Sequence, residues 1–106
     1  MVGAAGQLFS DSKTRVRSSS QAELVLNSLA NVWSFTGGAA TNWYLPLIAG
    51  PNNNFTVKNR GTDTLTIAPS GADQMFDVAP AASIDLLPGD AYTFYNDKAY
   101  WLILSE

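Results

Sequence analysis

From Phe55 to Leu104 the chain falls into short runs in which apolar and polar residues alternate. The runs are Phe55-Thr56-Val57-Lys58-Asn59, Thr64-Leu65-Thr66-Ile67, Ser83-Ile84-Asp85-Leu86, Tyr92-Thr93-Phe94-Tyr95 and Tyr100-Trp101-Leu102-Ile103-Leu104. A period of two places alternate side chains on opposite faces of an extended strand, one toward a core and one toward water. Turn residues separate the runs, and Leu87-Pro88-Gly89-Asp90 is the clearest case. Proline presets the first central angle and glycine accepts a positive second one, which is the chemistry of a type II turn. These runs predict successive antiparallel strands.

The N-terminal half is less regular. Val32-Trp33-Ser34-Phe35 alternates and stops at Gly37-Gly38, and Asn42-Trp43-Tyr44-Leu45 is closed by Pro46, whose missing N–H is unwelcome inside a central strand. Between Gln21 and Ala30 two patterns compete. Ser20 to Glu23 fits a helix capping box, with Leu26, Leu29, Ala30 and Trp33 at helical spacing; the alternation of Ala22, Leu24 and Leu26 fits a strand. The strand is preferred, because the rest of the chain is built of strands. Residues 1–20 are small, polar and serine-rich, the composition of a flexible N-terminal arm. The expected fold is therefore all-β: a small antiparallel β-sandwich or barrel, jelly-roll-like, over residues 21–106, with residues 1–20 as an extended arm.

The last run breaks the alternation. Trp101 and Ile103 fall on one face, and Tyr100, Leu102 and Leu104 make the other face apolar too. A strand with two apolar faces needs two surfaces to pack on. One is the domain's own core; the second is either a neighbouring subunit or the N-terminal strands of the same chain.

Composition narrows the function. With 106 residues the chain fits a single domain, and with 14% charged residues it falls below the roughly 25% usual for soluble domains. The net charge of -3 is split, Lys13, Arg15 and Arg17 facing Asp11 and Glu23 in the first half while carboxylates dominate the second. That balance argues against nucleic acid, whose phosphates require clustered cations. No apolar run approaches the roughly 20 residues of a membrane span. The arm can be an ordinary loose terminus or can order on a partner, with Leu8 and Phe9 as anchors and Lys13, Arg15 and Arg17 meeting an acidic patch.

Histidine and cysteine are both absent, which removes the commonest general base, the commonest metal ligands and any disulfide. Hydroxyl groups are plentiful, but without a base beside them they are not nucleophiles. Asp73, Asp77, Asp85, Asp90 and Asp97 lie mostly beside turn residues, where aspartate bonds its own backbone, and their spacing matches no calcium loop. No catalytic, cofactor or metal residues are expected. The tryptophans and tyrosines allow one binding activity: Trp33 and Trp43, if exposed, offer flat faces suited to stacking on sugars.

The pattern Tyr44-Leu45-Pro46, Gly50, Phe55-Thr-Val-Lys-Asn59-x-Gly61-Thr62, Leu65-Thr-Ile67-x-Pro69-x-Gly71, Ile84-x-Leu86-x-Pro88-Gly89 and Trp101-x-Ile103 resembles a β-domain of tailed-bacteriophage virion proteins, found in tail fibres, head fibres and capsid-decorating proteins. Met75-Phe76-Asp77 departs from that pattern. The resemblance implies a non-enzymatic, usually trimeric building block, made in the host cytoplasm and carried on the virion exterior. The shortness of the chain favours a capsid decoration or cement protein over a fibre. Its expected partners are further copies of itself, through Tyr100, Leu102 and Leu104, and the major capsid protein or another virion protein, through the arm. The alternative is a tail-fibre or receptor-binding module that recognises a host glycan through Trp33 and Trp43.

Overall fold

The computed structural model describes residues 15–50 and 54–105. All regular structure among them is extended: β1 (Val16–Ser19), β2 (Leu24–Val25), β3 (Val32–Phe35), β4 (Thr41–Tyr44), β5 (Asn54–Asn59), β6 (Leu65–Ala68), β7 (Met75–Phe76), β8 (Pro80–Ala81), β9 (Ile84–Leu86), β10 (Ala91–Asn96) and β11 (Trp101–Ser105). They form a larger, seven-stranded sheet in the order β1-β3-β5-β10-β11-β7-β8 and a smaller, four-stranded one in the order β9-β6-β4-β2. The region Gln21 to Ala30 is not helical; it gives the short β2 between turns. β1 falls within the stretch expected to be an arm, so the folded part begins by Val16.

The all-β sandwich is as expected, but its strand directions are mixed. From β1 to β6 the chain crosses between the sheets at every step, β1, β3 and β5 going to the larger sheet and β2, β4 and β6 to the smaller. A chain that changes sheet each time returns to each one in its original direction. Thus β1, β3 and β5 run parallel, with Val16 beside Val32 and Val32 beside Thr56. Likewise β2, β4 and β6 run parallel, with Leu24 beside Trp43 and Trp43 beside Ile67. This coil replaces the uniformly antiparallel, jelly-roll-like pairing. Alternation reports that a run is half-buried and is blind to the direction of its neighbour.

The winding then reverses. β9 pairs antiparallel with β6, and β10 antiparallel with β5 and β11, so the parallel stack is closed at this end. Pro88-Gly89 makes the reversal: Asp90 N–H donates to Leu87 O at 2.9 Å, and Gly89 takes φ of 96°, as a type II turn requires. Asn59, fully buried, fastens this turn to the coil. Its N–H donates to Asp90 O (2.9 Å) and its carbonyl accepts from Gly89 N–H (2.8 Å). Its side-chain Nδ2 donates to Asp63 O and Leu86 O, both at 2.8 Å. Its Oδ1 accepts from Gly61 N–H at 2.9 Å.

The core lies between the sheets. Trp33, Phe35, Phe55, Val57, Phe94, Trp101 and Ile103 come from the larger sheet, Trp43, Leu65, Ile67 and Leu86 from the smaller, and Leu26, Ala30, Leu45 and Ile48 from the connections. The Trp43 ring meets Phe35 and Trp33 edge-on, with centroids 5.6 and 6.3 Å apart, the arrangement that ring quadrupoles favour. At the corner beside this cluster two turns of the coil stack glycine on glycine. A Cβ on Gly61 would stand 2.3 Å from Gly37 O, so only glycine fits. A Cβ on Gly38, one residue further on in the corner, would come no closer than 3.6 Å to a neighbour, Thr62 Oγ1.

Gly61→Ala is therefore expected to cost about 2–3 kcal/mol in urea unfolding, through overpacking against a backbone that cannot move aside. Gly38→Ala should change stability by no more than about 0.5 kcal/mol. Equal effects would place the constraint elsewhere.

Candidate functional site

The alternation of β11 divides its side chains as the sequence implies. Trp101 is fully buried and Ile103 nearly so, while Leu104 is 47% exposed and Tyr100 and Leu102 are half-buried. The N-terminal strands do not cover this second face, because β1 and β3 lie in the same sheet as β11, on the far side of β5 and β10. The register extends the face across neighbouring strands. Leu102 lies beside Tyr95 on one side and Phe76 on the other, and Phe76 beside Pro80. The Tyr100 ring packs on Phe76 with centroids 5.2 Å apart. Leu104 lies beside Thr93, and Thr93 beside Thr56, their hydroxyls 3.0 Å apart.

The outer face at this end of the larger sheet thus carries Phe76, Tyr95, Tyr100, Leu102 and Leu104, none of them charged. Tyr95, 44% exposed, and Phe76 join the three residues read from the sequence. The alternation of β10 puts Tyr95 on the outside, but only the register with β11 brings it beside Leu102. Phe76 was hidden in a run too short to show a period.

The tryptophans assigned to sugar stacking are core residues. Trp33 is 3% exposed and Trp43 fully buried, because both alternate toward the opposite sheet. Their polar edges are also engaged: Trp33 Nε1 donates to Ala30 O at 3.0 Å and Trp43 Nε1 to Gln21 O at 2.7 Å. Trp101 does the same to Pro46 O at 3.0 Å. Each indole holds a connecting segment in place and offers no face to a ligand.

Of the arm residues, Leu8, Phe9 and Lys13 lie outside the described residues. Arg15 and Arg17 are exposed at β1, where the Arg15 backbone N–H donates to Asn31 Oδ1 at 2.8 Å. The carboxylates serve the backbone. Asp73 accepts from Ile48 N–H at 2.8 Å, Asp90 from Leu87 N–H at 3.0 Å and Asp85 from the Thr66 hydroxyl at 2.8 Å. Asp97 accepts from Tyr100 N–H at 2.7 Å and Ala99 N–H at 2.8 Å. Those amides, Tyr100's first and then Ala99's, hold the Asp97 carboxyl below its ordinary value. The Tyr44 hydroxyl, bonded to Glu23 Oε1 at 3.1 Å, is pushed upward by that carboxylate. Among the described residues no group of three or more acidic side chains is placed to hold a metal ion.

Two outcomes follow. Trp33→Ala and Trp43→Ala should each destabilise the fold by about 3–5 kcal/mol in urea or heat; an unchanged unfolding curve would contradict their place in the core. Asp97 has a depressed native pKa, so the stability it contributes is present above the ordinary aspartate range and lost as pH falls through the depressed value. Its carboxyl resonance should titrate below that of a model aspartate, and the amides of the Asn96–Tyr100 turn should lose protection, relative to their intrinsic exchange rates, as pH falls through that midpoint. A normal midpoint would contradict the two amide bonds.

Comparison with known protein families, with curated proteins and with solved structures finds no match to this chain.

Proposed function

We propose that the protein is a non-enzymatic structural subunit of a bacteriophage virion, a capsid decoration or cement protein that self-associates as a homotrimer. The observation that carries this reading is the uncharged outer face of Phe76, Tyr95, Tyr100, Leu102 and Leu104. It stands beside a core that the two sheets already fill. An apolar patch that crosses several strands without a charge can pack against neighbouring copies around a three-fold axis with no like-charge penalty. Covering these half-exposed side chains would contribute roughly 1–2 kcal/mol each, less than full burial gives. That is a large supplement for a domain of this size.

The engagement of Asp73, Asp85, Asp90 and Asp97 by backbone and hydroxyl donors, in a chain without histidine or cysteine, supports a role by assembly over one by chemistry. The virion assignment rests on the Lys58-Asn59-x-Gly61-Thr62 and Pro88-Gly89 pattern. Its spacing has a physical use here, since Asn59 joins Gly61 to the Pro88-Gly89 turn. Docking on the shell falls to the N-terminal segment, with Arg15 and Arg17 at its folded end.

Light scattering of the purified protein over a range of concentrations should give the mass of a trimer, and Leu104→Lys should give a monomer with an unchanged circular dichroism spectrum. Removal of residues 1–14, which leaves β1 whole, should leave the number of subunits unchanged. A wild-type monomer at every concentration would defeat the proposal.

A further inference from the structure

The sheets end in four edges, and they are not alike. β8 is two residues long and begins at Pro80, which has no N–H to offer, and β2 is also two residues long. β9 has three residues and ties Asp85 to Thr66 on its inner neighbour. β1, with four residues and neither proline nor glycine, is the longest edge. Among the described residues it is also the terminal strand of the parallel coil, whose other end β9 and β10 close.

The hydrogen bonds fix which groups of β1 are open. Val32 N–H donates to Arg15 O at 3.0 Å and Thr36 N–H to Ser19 O at 3.0 Å. In a parallel pair alternate residues point their N–H and C=O to the same neighbour, so Arg15, Arg17 and Ser19 face β3. Val16 and Ser18 present theirs to the other side, where no described strand lies. The side chains alternate the other way: Val16, 63% exposed, lies on the outer face in line with Val32, and Arg17 lies in register with the buried Trp33. Arg17 thus stands on the core side of the sheet at its open end, two residues from Arg15.

An inward-pointing charge on an edge strand guards against pairing with the wrong neighbour. A second β1 would bring its own arginines against these, so self-pairing is disfavoured. A strand that carries a carboxylate beside Arg17 would instead gain a cross-strand ion pair, with Cβ atoms about 5 Å apart. Nucleic acid is a poorer fit, because this cation pair is short and the chain is net acidic.

We infer that β1 is a strand-addition site: an extended acidic segment of a partner protein pairs with Val16 and Ser18 through its backbone and with Arg15 and Arg17 through its carboxylates. This deepens the docking part of the proposed function and rests on it for the partner's identity. Backbone bonds give such a complex its affinity, and the alternate side chains give its specificity.

The test is a titration of the full-length protein, followed by amide NMR, with a six-residue blocked peptide of alternating valine and glutamate, and with its valine-lysine counterpart. The glutamate peptide should shift the Val16 and Ser18 amides and the lysine peptide should not. Arg17→Glu should reverse that preference. Ser18→Pro removes only an N–H that points away from β3, and should weaken binding by about tenfold with the melting curve retained; if it does not fold, Arg17→Glu decides. The inference is overturned if the peptides bind equally or not at all, if the shifts fall elsewhere, if an oligothymidylate binds in place of the glutamate peptide, or if binding appears only after residues 1–14 are removed, which would make that segment the edge's own occupant. A trimer that ignores the peptide overturns this inference and leaves the proposed function standing; a monomer that binds it does the reverse.

Discussion

A buried amide side chain is tolerated only where its donors and acceptor are bonded, and Asn59 meets that condition at the place where the fold changes direction. A parallel coil has no internal reason to stop. Here it stops because the next strands arrive reversed, and the reversal is held by bonds from Asn59 to Gly61, Asp63, Leu86, Gly89 and Asp90. Loss of the Asn59 amide would leave the buried Leu86 carbonyl without a partner, at a cost of about 1–3 kcal/mol, and would release the Asp63 carbonyl and Gly61 N–H, which are only part-buried. Gly61, Pro88 and Gly89 are fixed by the same junction. Gly61 must be close enough to donate to Oδ1, and the Pro88-Gly89 turn must set its backbone against both main-chain groups of Asn59.

The tryptophans solve a related problem. Crossing between sheets at every step leaves long connections, and connections carry backbone groups that need partners. Each indole fills the core with its rings and reaches a connection with its N–H: Ala30, Gln21 and Pro46 receive those bonds. The segment from Leu45 to Gly50 is held further by Ser70, Asp73, Asn96 and Lys98, which bond to Leu45, Ile48 and Gly50. A small domain with mixed sheets therefore orders its loops with core residues. The rings that resembled ligand platforms are not free to act as such.

Local chemistry was legible in the sequence and partnership was not. Alternation gave β5, β6, β10 and β11 together with their inner and outer faces, and Pro88-Gly89 gave its turn. It also gave the second apolar face of Tyr100, Leu102 and Leu104. The parallel direction of β1 to β6 left no trace, because a strand reads the same whichever way its neighbour runs. β1 was hidden for another reason: its described neighbour is β3 alone and it has no inward apolar residue, so Val16-Arg17-Ser18-Ser19 looks like linker. Trp33 and Trp43 stood as the alternative, sugar-stacking candidates because an aromatic ring in an alternating run fits a core as well as a surface, and only the facing sheet decides. Tyr95 joins the apolar face through its register with Leu102, a contact no local pattern encodes.

The two surfaces that no described strand covers lie at opposite ends of the larger sheet, one on its outer face and one at its edge, and their chemistry differs. Around β11 the surface is apolar and uncharged, so it is complementary to itself. At β1 it is cationic and rich in open backbone groups, so a second copy repels it and an acidic strand suits it. Between them run Thr56, Thr93 and the half-buried Val32, with Lys58 further along β5, its Nζ donating to Gly89 O at 2.7 Å. Association through one end leaves the other unblocked, because β5 and β10 separate them in the sheet. On the proposed reading, such a subunit would join its own kind by hydrophobic burial and a different partner by strand pairing. Salt should then weaken the contact at β1, where the charges are exposed, more than the contact at β11, where none are buried.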